Sequence, residues 1–487
     1  MRLRSWRPSW DYIPAEIRII ILEKLAKQKH PGWASLASVC REWQCVLEKF
    51  NFHKISLQVS CLDDFALLSP QTRKLVHHIY FRVELPRYSY RCCCHHRSRL
   101  TDVSPIVTDA ISKLFSILSS WEPAGNLALE LNVYSPSDCE HWFKNIHLSS
   151  DNVDHEGDVT PTAGTGTLRI DRKHGWFDGQ PYLRPQRHAI QRLFKPINLK
   201  LQVSSPKVEA VTRLIIRRQL RRCIDVKSFA CLFRKLNHLE QISYEPWKPW
   251  DGWRISEKKV YAFKMRCLPD TVNSLVIFED SYRFYDQFPP RRLPPIQPIL
   301  PAGPSEKIDA DFVSKSLKLQ HLSISFMINA ESLFQQCQSD WIWPRLQSLA
   351  LTSKLLRHEP EYRGRITDLL RRAGVLAQQM PMIHTFVLWN CEKAHACAFI
   401  YRVEKGTASV TWRGTWNFKL RPRVVNEWQA VASKRRMHRS ELQLKQDDIK
   451  AAINCPGDAI YHLKLPCQVI EPASLWQIRR EGHTIWW

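Results

Sequence analysis

Ile383-His384-Thr385-Phe386-Val387-Leu388-Trp389-Asn390-Cys391 is the stretch on which the fold turns. Its apolar positions Ile383, Phe386 and Leu388 repeat upstream with the same spacing. They recur in Leu239-x-x-Ile242-x-Tyr244, Val272-x-x-Leu275-x-Ile277, Leu319-x-x-Leu322-x-Ile324 and Leu346-x-x-Leu349-x-Leu351. The central positions 242, 275, 322, 349 and 386 are 33, 47, 27 and 37 residues apart. One strand with its return helix cannot cover its own apolar face, whereas a stack of such units buries a continuous core. The recurrence predicts an α/β chain of strand–helix units with insertions of unequal length.

Ending at Cys391, the stretch has the form L-x-x-L-x-L-x-x-N/C and resembles a leucine-rich repeat. Regular repeats run about 20–29 residues, so the resemblance is to an irregular leucine-rich-repeat-like solenoid with disordered insertions. It implies a long surface open to a partner. Working outward, period-two alternation predicts strands at His53–Val59, Leu127–Val133 (half-buried) and Val211–Ile216. Helices are expected over 63–78 and Ile106–Trp121, and from Arg217 to about Leu236. Phe399–Val403 and Ala408–Trp412 read as paired strands joined at Glu404–Thr407. Val424 to about Arg439 reads as helix, and the aromatic terminus (Trp476, Trp486, Trp487) is expected to fold back as a cap on the last repeat.

Trp10–Phe50, WDYIPAEIRIIILEKLAKQKHPGWASLASVCREWQCVLEKF, carries a different pattern. Pro14 suits a first helical turn and Glu16 its positive dipole end, and Pro31-Gly32 stops the helix. Ile17, Ile20, Ile21 and Leu25 share one face; Ile19 and Leu22 extend the apolar surface round the other side. So short a segment builds too small a core to cover all of that. Ile13-Pro14-Ala15-Glu16-Ile17, then Ile21, Leu22 and Leu25, then Val39-Cys40-Arg41-Glu42-Trp43 resemble the F-box, with Ile13 for the usual Leu and a longer joint at Gln28–Gly32. The resemblance implies docking on a Skp-type adaptor, and through it a cullin ubiquitin ligase. Ile13, Pro14, Ile17, Ile21, Leu22, Val39 and Trp43 are the docking and box-core set it assigns.

Further likeness runs along the chain in Ser135–Phe143, Arg217–Gln219, Tyr244–Trp247, Trp412–Trp416 and Ser474–Arg479. There it is similar to F-box proteins of the filamentous-fungal type that carry a long repeat-like region. The expected division is an F-box-like three-helix module at 8–52, first strand/helix units at 53–148 and a flexible insertion at 149–187. Repeat-like units follow at 188–397, with a Pro-rich loop at 286–306, and a strand/helix cap at 398–487.

Composition bounds the function. The chain has 487 residues, 44% hydrophobic and 24% charged, which is globular and long enough for about three domains or one repeat array. No apolar run reaches the eighteen or so residues that cross a bilayer, and no secretory signal or Asn-x-Ser/Thr acceptor is seen. Fifteen cysteines, an odd number, read as reduced thiols of the cytosol or nucleus. The net charge of +24 draws the chain toward polyanions.

No phosphate-cradling loop, dinucleotide fingerprint, zinc-protease or nucleophile-elbow motif is present, so the expectation is a non-catalytic protein with no cofactor. Cys92-Cys93-Cys94-His95-His96 lacks the spacing by which thiolates share a tetrahedral ion. Cys391, His395 and Cys397 come closer but lack a fourth ligand. Pro289–Pro304 reads as stiff extended chain. Arg217, Arg218, Arg221 and Arg222 fall on one side if helical: a solvated face, or an anion site for an acidic partner. Lys434–Arg439 is equally dense and has the form of a nuclear import address. The expectation is a substrate-recruiting adaptor that binds a Skp-type subunit and an unknown target protein. The rival is a basic nucleic-acid-binding protein or a ubiquitin-independent scaffold.

Overall fold

The computed structural model describes residues 10–28, 30, 32–89, 101–144, 170–248, 267–281, 310–434 and 442–483. Its strands are β1 (Lys54–Gln58), β2 (His78–Glu84), β3 (Leu127–Tyr134), β4 (Ile170–Asp171), β5 (Trp176–Phe177), β6 (Gln180–Pro181), β7 (Val211–Ile216), β8 (Gln241–Tyr244), β9 (Ser274–Phe278), β10 (His321–Asn329), β11 (Ser348–Thr352), β12 (Thr385–Glu392), β13 (His395–Glu404), β14 (Thr407–Gly414) and β15 (Gln443–Asp448). Apart from the small β4–β6 sheet, they form one mixed, mostly parallel sheet in which each lies beside its predecessor in chain order. Among the described strands of this sheet, only the β12–β13 and β13–β14 pairs are antiparallel. The turn between β13 and β14 is made by Lys405 and Gly406, both at positive φ.

The recurring spacing becomes a lateral ladder. Ile242 pairs with Leu275, Leu275 with Leu322, Leu322 with Leu349 and Leu349 with Phe386. The row continues upstream through Leu214, Leu129, Ile79 and Ile55. Two residues on, Tyr244, Ile277, Ile324, Leu351 and Leu388 make a second row on the same face. A one-residue slip would turn either row to the opposite face, so burial fixes the register despite the unequal spacings.

Helices cover that face, with α1 (Ala15–Gln28) and α2 (Arg41–His53) preceding them. They include α3 (Ser104–Leu118), α4 (Val226–Lys235), α5 (Ala330–Gln336), α6 (Arg363–Ala377) and α7 (Pro422–Lys434). Leu114, Phe229, Leu333, Leu370 and Trp428 enter one core with the ladder residues. Trp428 is fully buried among Phe386, Phe399 and Tyr401, with ring centroids 5.1, 5.0 and 5.0 Å away, and donates to the Leu370 carbonyl at 3.1 Å.

The opposite face is covered too. The segment after β15 forms α8 (Pro456–Leu463) and α9 (Pro472–His483). Ile453, Ile460, Leu463, Ile470 and Ile478 pack there against Phe278, Ala350, Val387, Trp389 and Ile400 of the sheet. The expected cap on the last repeat is therefore corrected. An alternating strand leaves a second row to bury, and the terminal helices lie over it.

Other expectations shift for similar reasons. β3 is buried at every position, not half-buried, because Glu130 and Asn132 on its second face are covered and paired. The helix expected over 63–78 is two short ones, Leu62–Ala66 and Pro70–Arg73, followed by β2. Residues 170–181, expected within a flexible insertion, form the β4–β6 sheet, held by Trp176 Nε1 donating to the Trp142 carbonyl at 3.0 Å. The Pro289–Pro304 stretch, all of 149–169 and Cys92–His96 lie outside the described residues, as do 435–441 and Trp486-Trp487. Among the described residues no helix is long and apolar enough to cross a membrane.

Candidate docking module and the buried arginine cluster

α1, a 3-10 turn at Trp33–Ser38 and α2 share a core separate from those of the sheet. Pro14 opens α1, its carbonyl accepting from the backbone of Ile17 and Arg18 at 3.0 Å each. Gly32, at φ +83°, takes a left-handed turn that other residues resist. Leu22, Ala26 and Leu47 are buried, ringed by half-buried Trp10, Leu25, Trp33, Trp43 and Phe50. Trp10 and Trp43 lie 5.3 Å apart, and Glu42 accepts from Arg18 Nε at 2.8 Å and Trp10 Nε1 at 3.1 Å. Those hydrogen bonds, Arg18's first, hold the Glu42 carboxyl below its ordinary range.

The core is small and much apolar surface remains outside it. Tyr12 is 77% exposed, Ile17 47%, Ile19 41%, Ile20 48% and Val39 59%. Of the residues singled out from sequence, Pro14, Ile17 and Val39 face solvent and Ile13, Ile21 and Trp43 are half-buried. Leu22, at 0% exposure, falls on the box-core side of the set, inside the module's own core. Tyr12, Ile19 and Ile20, also exposed, stand outside the set that the resemblance assigns. Ile20 shares the helical face of Ile17, a signal already present in the periodicity.

The arginine quartet is also corrected. Arg217–Arg222 follow β7 as turn and loop, not helix, and α4 begins only at Val226, after the Asp225 cap. All four arginines are buried, at 3–6% exposure, and face carboxylates. Arg217 pairs with Glu130, which also meets His78 at 2.8 Å. Arg218 pairs with Asp280 and with Glu481 at 2.7 Å, and Arg221 with Glu481 at 2.6 Å. Arg222 grips both oxygens of Asp138 at 2.7 and 2.9 Å. Burial works against the charge on Arg218, but Asp280 and Glu481 outweigh it and hold its pKa above the ordinary value. Neither a solvated face nor an open anion site fits this arrangement.

Beside the cluster, α9 enters through Glu471. Its N–H donates to Glu245 at 2.7 Å, the Arg218 N–H donates to the same carboxyl at 2.9 Å, and the Glu471 side chain meets Arg213 at 2.6 Å. Burial pushes Glu245 up to about 7, against those backbone donors. Between its ordinary 4.5 and about 7 the folded protein keeps a proton that the unfolded chain has lost, so this group's contribution falls as pH rises through that window. The expected result is that Glu245→Gln, which cannot titrate, gains stability relative to wild type from about pH 4.5 to about pH 7.5, by up to about 3 kcal/mol. Denaturant melts at both pH values read this, and a difference independent of pH contradicts it.

Cys391 and Cys397 are buried and their thiols pushed up by burial, a poor state for metal ligation, while His395 stacks on His358 at 3.8 Å. Among the described residues no group of three or more His, Cys, Asp or Glu side chains is placed to hold a metal ion. No curated protein matches the chain. Residues 267–471, from just before β9 to the start of α9, match the model of a family described as "Family of unknown function (DUF6546)".

Proposed function

We propose that the chain is a non-catalytic, substrate-recruiting adaptor. Its N-terminal module is F-box-like and docks a Skp-type subunit, and through it a cullin. The strand–helix array, an irregular leucine-rich-repeat-like solenoid, holds a target protein nearby. Transfer chemistry done by another protein then gains from proximity alone.

The observation that carries this reading is the unfinished surface of the module. Leu22, Ala26 and Leu47 form its buried centre, while Ile17, Ile19, Ile20 and Val39 stay outside. An apolar group of this kind on a small helical unit is the surface a second subunit covers. The laddered sheet gives the support: twelve strands in one continuous sheet offer a long frame on which a target is held.

The test is co-expression with a Skp-type adaptor and recovery through a tag on the full chain. Ile17→Glu with Ile20→Glu is expected to reduce adaptor recovery at least about tenfold. Tm should stay within about 2 °C, because both residues are exposed. Equal recovery from variant and wild type contradicts the reading.

A further inference from the structure

Because residues 449–483 lie across the second face of the sheet, a molecule approaching that side meets the outer surface of α8 and α9 first. Two glycines set how tightly these helices pack. A Cβ at Gly457 would stand 2.6 Å from Arg479 Cγ, and one at Gly482 would stand 2.4 Å from Cys455 Cβ. The close approach lays the Arg479 guanidinium 4.1 Å over the ring of Tyr461 and 5.0 Å over that of Trp476. The two rings are 5.9 Å apart. Asp458, 2% exposed, accepts from Arg479 Nε at 3.2 Å and fixes the stack from beneath. Tyr461 remains 43% exposed and Trp476 half-buried. Tyrosine, tryptophan and arginine dominate the residues that carry binding energy at protein interfaces, and here their rotamers are already ordered.

The charges around this stack divide by sign. The three acids of residues 456–482 (Asp458, Glu471 and Glu481) are all buried and paired with arginines. Lys464 is exposed, and His462 and Arg480 are half-buried. Among the described residues of α8, α9 and the segment joining them, the outer face thus shows aromatic rings and cations, with no exposed carboxylate; the Asp447 carboxylate of neighbouring β15 is held by Arg413 at 2.6 Å.

We propose that this face binds an acidic, partly apolar segment of another protein, whose side chains cover Tyr461 and Trp476 while its carboxylates meet Lys464 and its neighbours. The surface deepens the adaptor reading by naming the class of target. Its test reads this binding alone, so it stands or falls separately from the adaptor pull-down.

The probe is a fluorescein-labelled peptide alternating Glu and Leu, titrated with the full chain by anisotropy. Controls are a Gln–Leu peptide and an oligonucleotide of equal charge. The Glu–Leu peptide is expected to bind and to weaken several-fold from about 50 mM to about 300 mM salt. Trp476→Ala and Tyr461→Ala should each weaken it about tenfold or more. Lys464→Glu, on an exposed residue that leaves packing untouched, should weaken it several-fold. Unchanged binding in the Lys464 variant, equal binding of the Gln–Leu peptide, or tighter binding of the oligonucleotide would each overturn the proposal. The last would mark a general polyanion surface.

Discussion

Glu481→Ala is expected to cost about 3–5 kcal/mol, a large share of what a folded domain has in reserve. Glu481 is 7% exposed and bridges Arg218 and Arg221, themselves 3% and 6% exposed. Removing it leaves two buried cations with less compensation. Arg218 retains Asp280, whereas Arg221 loses the Glu481 carboxylate. The guanidinium of Arg221 also lies 4.2 Å over the ring of Trp247, and that contact alone does not replace a carboxylate. The loss should fall first on α9, whose far end this pairing ties to the loop after β7. Urea denaturation followed by tryptophan fluorescence gives the cost, and hydrogen exchange localises it. A change under about 1 kcal/mol would mean that the cluster does not anchor the terminal helix.

Trp428→Ala is the second large effect, about 3–5 kcal/mol. The side chain is fully buried on α7 and packs over Phe386 of β12 and Phe399 and Tyr401 of β13. No smaller neighbour can move in, because Gly374 of α6 already brings that backbone close: a Cβ there would stand 3.2 Å from Trp428 Nε1. A cavity of indole size remains and the Leu370 carbonyl loses its donor. Trp428→Phe keeps most of the volume and should cost less than half as much. Equal costs for the two would point to the hydrogen bond and not the packing.

The sheet was the legible part of the fold. Five matches to one spacing named Ile242, Leu275, Leu322, Leu349 and Phe386, and these stand in one lateral row. They were legible because strand periodicity is local and insertions between strands leave it intact. What lies over the second face was not legible. Alternation announces that a strand has another side, but not which distant segment covers it. Trp389 and Val387 meet Ile453 and Ile470 across more than sixty residues of chain. The arginine quartet failed for a related reason. Four cations at i, i+1, i+4 and i+5 look like a solvated helix face until Glu130 and Asp138, Asp280, and Glu481 arrive from three other parts of the chain. Charge pairing at that range leaves no local trace. In the N-terminal module, helical periodicity placed Ile17 and Ile20 correctly on one face. Leu22, on the other side of the same helix, closes the module's own core.

The central claim is that the solvent side of α1 and the turn at Val39 form a docking surface for a Skp-type subunit. Hydrogen exchange of the full chain, with and without purified Skp-type adaptor, tests it most directly. The account predicts added protection confined to residues 12–24 and 36–41, with α8 and α9 unchanged. Protection elsewhere, or none with adaptor in excess, would contradict it.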